Sequence, residues 1–371
     1  MSAPLSPAER ARYARQIALP GFGPAAQQRL RESTVLMIGV GGLGSPASLY
    51  LAAAGVGRIV ILDGDRVEAS NLHRQVLFAE DDVGSAKAET ARDALLALNP
   101  HIAVEAYAER FDADNAARYV QDTDVVVDGT DTFATRYLVN DACAQFGVPN
   151  VFASVDQFSG QASVFSAPGG PCYRCLFPDP PPANSVPSCA DGGVVGVLPG
   201  LLGLVQATET VKLLTGLGRP LVGRLLMVDA LAMRFRELAV TADPACPACG
   251  TGSQTHKPLP SMPSIPEISP TELFELMASD SPPLLLDVRE PDEYEAANLG
   301  GTLIPLGELP DRLDEIEGHK SDERIVVHCR SGGRSGQAVQ MMHASGFSNA
   351  VNLRGGLHAW ADEVDPSVPK V

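Results

Sequence analysis

The chain is short of positive charge, of long unbroken apolar runs and of internal repetition, and each shortage closes off a class of function. Its 371 residues carry 28 Lys and Arg against 45 Asp and Glu, a formal net charge of −17. No nucleic-acid partner is expected from that balance, because phosphate binding needs a basic surface that releases counterions. The most apolar stretch, 194–205, is broken by Gly196, Pro199, Gly200 and Gly203 and falls short of the roughly 20 residues that cross a bilayer. It reads as a buried segment, and no membrane partner is expected. The first residues, Met1 to Gln16, contain Arg10, Arg12 and Arg15 but no apolar run of the kind an export signal needs. No repeat of about 20–50 residues is visible, which argues against a solenoid.

Seven cysteines in a chain with no expected export point to thiol and metal chemistry in a reducing, cytoplasmic setting, since disulfides persist mainly in oxidising compartments. Four of them form two knuckles, Cys172-Tyr173-Arg174-Cys175 and Cys246-Pro247-Ala248-Cys249. A C-x-x-C knuckle brings two thiolates to one tetrahedral ion, and two knuckles complete a closed, structural Zn²⁺ site. Cys143, Cys189 and Cys329 are left over. Cys143 lies in a helix-like stretch, 136–146, and reads as a small core residue.

The length suggests two or three domains. Residues 1–260 hold 26 acidic and 20 basic side chains, and residues 261–371 hold 19 and 8, so the acidity is concentrated at the C-terminal end. The break coincides with Pro258, Pro260, Pro263 and Pro266, whose spacing favours extended backbone. We therefore divide the chain into residues 1–250, a Pro-rich linker at 251–267, and a smaller domain at 268–371. In the first domain apolar strand-like runs at 34–38, 58–62, 124–127 and 150–153 alternate with helix-like stretches. That alternation predicts an α/β fold, a Rossmann-like, mostly parallel sheet covered by helices. The smaller domain repeats the pattern with strands at 284–288 and 324–328.

The first strand runs into Gly39-Val40-Gly41-Gly42-Leu43-Gly44, a G-x-G-x-x-G turn that opens an Ala- and Leu-rich helix. Such a turn lets backbone approach a phosphate at the positive end of a helix. Asp63, nineteen residues beyond Gly44, is placed to accept ribose hydroxyl hydrogen bonds. Alone, these features fit a dinucleotide equally well. The polar run from Asp63 and Asp65 through Ser70-Asn71-Leu72-His73-Arg74-Gln75 favours ATP, together with Lys87 at a helix start and Asp131 in Asp128-Gly129-Thr130-Asp131-Thr132. Arg74 and Lys87 would offset triphosphate charge, and a carboxylate at a strand's carboxyl end can hold Mg²⁺. The bland alternative makes Arg74 and Lys87 solvated charges and Asp131 a helix cap.

These motifs, in this order and with the two knuckles, resemble the ubiquitin-activating-enzyme-like adenylyltransferases. The similarity spans about residues 5–250 and is greatest to the molybdopterin-synthase and thiazole-synthesis sulfur-carrier adenylyltransferases. The resemblance implies an ATP site of Gly39, Gly41, Gly42, Gly44, Asp63, Asp65, Ser70, Asn71, Arg74, Gln75, Lys87, Asp131 and Thr132. It implies adenylylation of a small ubiquitin-like sulfur carrier ending in Gly-Gly. It also implies a homodimer in which Arg15, otherwise an ordinary helix charge, reaches the partner's ATP. Arg74, Asp131 and Arg15 would thus serve catalysis. Cys189, in Pro187-Ser188-Cys189-Ala190, matches a cysteine that relatives link covalently to the carrier. Molybdopterin, thiamine, cysteine and tRNA thiolation all draw on such activating domains. Activation of a ubiquitin-like modifier for conjugation is the alternative.

In the smaller domain a strand ends in Cys329-Arg330-Ser331-Gly332-Gly333-Arg334-Ser335, a Gly-rich loop before a helix. Successive backbone N–H groups around one sulfur, with Arg330 and Arg334 beside it, favour an anionic persulfide. A cysteine phosphatase would need a wider C-x5-R loop and a carboxylic acid. With Leu285-Leu286-Asp287-Val288-Arg289 before it and Asn352-Leu353-Arg354-Gly355-Gly356 after it, the segment resembles a single-domain rhodanese. It departs from many rhodaneses at Ala297-Asn298-Leu299-Gly300-Gly301-Thr302. The resemblance implies that Cys329 carries sulfur from a donor such as a cysteine desulfurase or thiosulfate.

Overall fold

In the computed structural model of the chain, residues 4–181, 193–250, 265–279, 281–320 and 324–370 are described. They fall into two compact units that divide within the Pro-rich stretch, between Met262 and Pro263. Cys189 and residues 251–264 lie outside the described residues.

The first unit is built on an eight-stranded sheet: β1 (Thr34–Ile38), β2 (Arg58–Leu62), β3 (Ala103–Tyr107), β4 (Val125–Asp128), β5 (Asn150–Asp156), β6 (Ser159–Phe165), β7 (Arg224–Asp229) and β8 (Arg234–Ala239). Their spatial order is β3-β2-β1-β4-β5-β6-β7-β8. The first five strands are parallel and the last three run antiparallel as a meander. Strands β1, β2 and β4 read as near-continuous Val, Ile and Leu because helices cover both faces. The order reverses between β1 and β4, which leaves a crevice at their carboxyl ends, where open α/β sheets take ligands. The sequence expectation of a mostly parallel, helix-covered sheet matches this architecture.

The apolar 194–205 segment is a longer element than its composition suggests. It forms a helix, Val197–Thr215, that by length and composition alone is apolar enough to cross a membrane. The helix thus runs well past the apolar stretch 194–205 read from sequence. The physical reason is that Gly200 and Gly203 lie inside the helix instead of ending it. A Cβ on Gly203 would stand 2.4 Å from the Leu43 carbonyl oxygen and 2.6 Å from Pro46 Cγ. Glycine there lets this helix lie directly on the helix Gly44–Ala54. Leu198, Leu202, Gln206, Glu209 and Thr210 are buried. Gln206 Nε2 donates to the carbonyls of Asp128 (2.7 Å) and Val151 (2.9 Å), tying the helix to the ends of β4 and β5.

The second unit is a five-stranded parallel sheet in the order β11-β10-β12-β13-β9. Its strands are β9 (Glu267–Ile268), β10 (Leu284–Asp287), β11 (Thr302–Leu303), β12 (Ile325–His328) and β13 (Ala350–Leu353). Glu267, read from sequence as the last linker residue, pairs with Asn352 and so already belongs to this sheet. The helix Gly333–Ala344 follows the Cys329 loop directly and buries Ala338, Val339 and Met342 against the sheet.

Candidate functional site

The glycine turn sits where β1 and β4 diverge. Gly39 has φ +84°, and a Cβ there would stand 3.0 Å from the Gly129 carbonyl oxygen, so the turn and the Asp128–Thr132 loop touch backbone to backbone. Gly44 approaches more closely still: a Cβ would stand 2.1 Å from the Gly39 carbonyl oxygen, which only glycine permits. The polar run after β2 folds back over the same turn. Positions for a Cβ on Gly41 and on Gly42 lie 3.6 Å from Gln75 Nε2 and from Arg74 Cδ respectively. Arg74 is held by its own loop, donating to Asn71 Oδ1 (2.6 Å) and to the Ser70 carbonyl (3.2 Å).

Asp63, at the end of β2, is buried. Its Oδ2 accepts the Val40 N–H of the turn at 2.9 Å and its Oδ1 accepts the Asp65 N–H at 2.9 Å. Burial pushes this carboxyl up from its ordinary range, against the pull of Lys87 and the two backbone N–H groups. Lys87 begins the helix Lys87–Leu98, is itself buried, and donates to Asp65 Oδ2 at 3.2 Å. Arg110 Nη2 stands 3.6 Å from the other oxygen of Asp65. Sequence reasoning named Asp65 and Lys87 but not Arg110, which lies in a separate loop and carries no motif.

Asp128, quoted within a motif but given no role, is fully buried at the end of β4. Its Oδ1 accepts both the N–H (3.0 Å) and the hydroxyl (2.6 Å) of Thr130, which fixes the loop leading to Asp131. Burial raises its pKa, moderated chiefly by the neighbouring Arg136 guanidinium. Asp131 and Thr132 are exposed, and Thr132 caps the helix Phe133–Phe146, its hydroxyl accepting the Thr135 N–H at 3.2 Å. Arg15 is exposed on the short helix Ala14–Ile17.

The two knuckles converge. Cys172 and Cys246 sulfurs lie 3.5 Å apart, Cys175 and Cys249 3.4 Å, Cys172 and Cys175 3.9 Å, and all four within 4.8 Å of one another. Zn–S bonds of about 2.3 Å in a tetrahedron demand S···S edges of about 3.8 Å. The donor set therefore fits Zn²⁺.

In the second unit Cys329 is buried directly after β12. Its sulfur accepts the N–H groups of Gly332 (3.2 Å) and Ser335 (3.4 Å), with the Ser335 hydroxyl at 3.3 Å. That hydroxyl also lies 2.6 Å from Asn352 Oδ1, and Asn352 Nδ2 donates to Glu267 at 2.9 Å. Behind the loop, Asp287 and Arg289 form a fully buried fork: Nε to Oδ1 at 3.0 Å and Nη2 to Oδ2 at 2.7 Å. Arg289 also donates to the carbonyls of Glu293 and Ala297, which anchors the segment where the sequence departs from many rhodaneses. Arg334 turns to Glu293, donating to both its oxygens at 2.6 Å. Neither Glu293 nor Ser335 was singled out from sequence, because only folding brings the first to the loop and sets the second on the sulfur.

Fold and sites together define a nucleotide-turn α/β enzyme joined in one chain to a cysteine-loop sulfurtransferase unit. Residues 13–248 match the ThiF family and residues 269–363 the rhodanese-like domain. The chain belongs to the ThiF family, extended by a rhodanese-like domain, and is an adenylyltransferase and sulfurtransferase. It is similar to the probable adenylyltransferase/sulfurtransferase MoeZ of Mycobacterium tuberculosis, 42% identical over 98% of this chain and 96% of that protein. Over 64% of this chain and 90% of the other it is 52% identical to a sulfur carrier protein adenylyltransferase of Thermus thermophilus. Among solved structures, E. coli MccB with ATP superposes at TM-score 0.56 with 25% identity, covering 64% of this chain and 73% of that one.

Proposed function

We propose that the chain uses ATP to activate the C-terminal carboxylate of a small ubiquitin-like sulfur carrier ending in Gly-Gly, then converts it to a thiocarboxylate with sulfur delivered by Cys329. The observation that supports this best is the meeting of the glycine turn, Arg74, Gln75 and the Asp128–Thr132 loop in one crevice. A carboxylate is a poor electrophile. Its attack on the α-phosphorus of ATP expels pyrophosphate and leaves an acyl adenylate, whose leaving group is AMP. Such a step is driven by positioning and charge neutralisation and needs no protein nucleophile.

Glycine N–H groups and the start of the helix Gly44–Ala54 would receive phosphate, Asp63 the ribose, and Arg74 and Lys87 the growing charge, with Asp65, Ser70, Asn71, Gln75 and Thr132 lining the site. Asp131 would hold Mg²⁺, which supplies positive charge to the phosphates. Arg15 would act on the nucleotide of the partner in a homodimer, and Zn²⁺ at Cys172, Cys175, Cys246 and Cys249 would hold the two knuckles together. These roles suit a cytoplasmic enzyme.

In the second step the terminal sulfur of a Cys329 persulfide attacks the acyl carbon, AMP leaves, and an acyl disulfide joins carrier to Cys329. A thiolate, Cys189 by our reading, then attacks the Cys329 sulfur; the carrier departs as thiocarboxylate and a Cys189–Cys329 disulfide remains for an external thiol to reduce. Electrons balance, since two thiols supply the pair that reduces the sulfane sulfur. The test pairs two variants with a Gly-Gly carrier. Asp131→Ala is expected to lose carrier-dependent ATP–pyrophosphate exchange, whereas Cys329→Ala keeps exchange and forms no thiocarboxylate by mass spectrometry. Near-normal exchange in the first variant refutes the Asp131 role. An isopeptide product, in place of a thiocarboxylate, would favour modifier activation.

A further inference from the structure

Two of the arginines near the Cys329 loop, Arg289 and Arg334, do not present bare charge. Arg289 is forked to Asp287 with neither group exposed. Arg334, between Gly332 and Ser335 whose N–H groups bond the sulfur, is paired through two 2.6 Å hydrogen bonds with Glu293. Both partners of this second pair are only about one-fifth exposed. Glu293 is fixed by more than this contact. It stands three residues into the helix Pro291–Ala296 and its carboxylate accepts the Glu290 N–H at 3.0 Å. Its backbone carbonyl accepts a hydrogen bond from Arg289 at 3.2 Å. Burial pushes its carboxyl upward, but the hydrogen bonds of Arg334 and Glu290 and the guanidinium charge outweigh it, leaving the pKa lowered and the pair ionised at neutral pH.

A loop that loads sulfur must admit a donor. Thiosulfate is a dianion: the Cys329 thiolate attacks its sulfane sulfur, and sulfite leaves with the bond pair. Two negative charges gain from an uncompensated guanidinium beside the loop and gain little from one already matched by a carboxylate. A donor with less charge is correspondingly less affected.

We propose that Glu293 is a specificity-determining residue for the sulfur donor: by neutralising Arg334 beside the persulfide loop it weakens capture of the thiosulfate dianion relative to donors of lower charge. The inference rests on Cys329 being the sulfur-carrying residue. Glu293→Gln keeps the shape and one oxygen to accept from the Glu290 N–H and Arg334 Nη1, and it removes the negative charge together with the acceptor for Arg334 Nη2. Arg334→Gln leaves the carboxylate in place.

The test measures thiocyanate formation by the full-length protein at low ionic strength, with thiosulfate and with the monoanion methanethiosulfonate as donors and cyanide as acceptor. The KM for thiosulfate is expected to fall about three- to tenfold in Glu293→Gln with kcat little changed, to rise in Arg334→Gln, and to return near the original value in the double variant, which restores neutrality. The shift for methanethiosulfonate is expected to be smaller, and both shifts shrink in about 0.5 M salt. A thiosulfate KM that is unchanged in Glu293→Gln, or equal shifts for the two donors, overturns the role of Glu293. Thiocyanate formation that survives in Cys329→Ala overturns the reading of Cys329 beneath it, so the two failures are distinguishable.

Discussion

His328, next to Cys329, is fully buried, and its Nδ1 stands 3.8 Å from Asp287 Oδ2. Among the described residues neither ring nitrogen has a hydrogen-bond partner. Burial drives its pKa down from 6.5 to about 4, outweighing the nearby Asp287 carboxylate. Unfolded, the imidazole takes a proton near pH 6.5, whereas folded it resists one until about pH 4. The unfolded state therefore binds more protons across that window, and this contribution to stability is complete above pH 6.5 and is lost as pH falls toward 4. At 1.36 kcal/mol per pH unit the loss is about 2 kcal/mol by pH 5. Calorimetry of the full chain is expected to show the transition of the second unit moving down between pH 7 and 5, with a smaller shift in His328→Gln. Equal shifts in both proteins remove His328 from the account. The sequence placed His328 at the end of a strand beside the loop cysteine, but its burial against Asp287 depends on β10 and β12 being neighbours.

At the scale of elements, the glycine turn is held from outside by a helix that sequence alone treats as broken. Gly196, Pro199, Gly200 and Gly203 interrupt the apolar run, yet Pro199 is tolerated in the first turn of the helix, where no N–H is needed. Gly203 is the contact point with Leu43 and Pro46. Gly203→Ala is expected to force the helices Val197–Thr215 and Gly44–Ala54 apart, to destabilise the first unit by about 1–3 kcal/mol, and to raise the KM for ATP. Thermal denaturation and initial rates check this, and a variant of unchanged stability would show that the helices yield without cost. The strand ends β1, β2 and β5 start where apolar runs predict, because a doubly covered parallel strand writes its burial directly into its composition. The meander β6 to β8 was not anticipated: the β8 residues are exposed throughout and carry no such signature.

At the scale of the whole molecule, fusing an adenylylating unit to a sulfur-carrying unit makes their encounter intramolecular and raises the effective concentration of the donor sulfur. A chain ending at residue 250 is expected to retain carrier-dependent ATP–pyrophosphate exchange and to lose thiocarboxylate formation, regaining it when an external persulfide is supplied. Mass spectrometry of the carrier reads the outcome, and undiminished thiocarboxylate from the shortened chain without added persulfide would sink the coupling.

What the sequence determined by itself was local and repetitive: the α/β alternation, the glycine turn, the paired cysteine knuckles and the cysteine loop. Each is a short-range pattern whose chemistry is set by residues a few positions apart. Tertiary structure decided what those patterns meet. It laid Arg74 and Gln75 over the glycine turn, closed the two knuckles across 74 positions of chain into one cluster of sulfurs, and carried Glu293 41 positions to Arg334. These pairings follow from strand order and helix packing, which no spacing along the chain encodes, and burial in the resulting core is what shifts Asp63, Asp128 and His328 from their ordinary acidities.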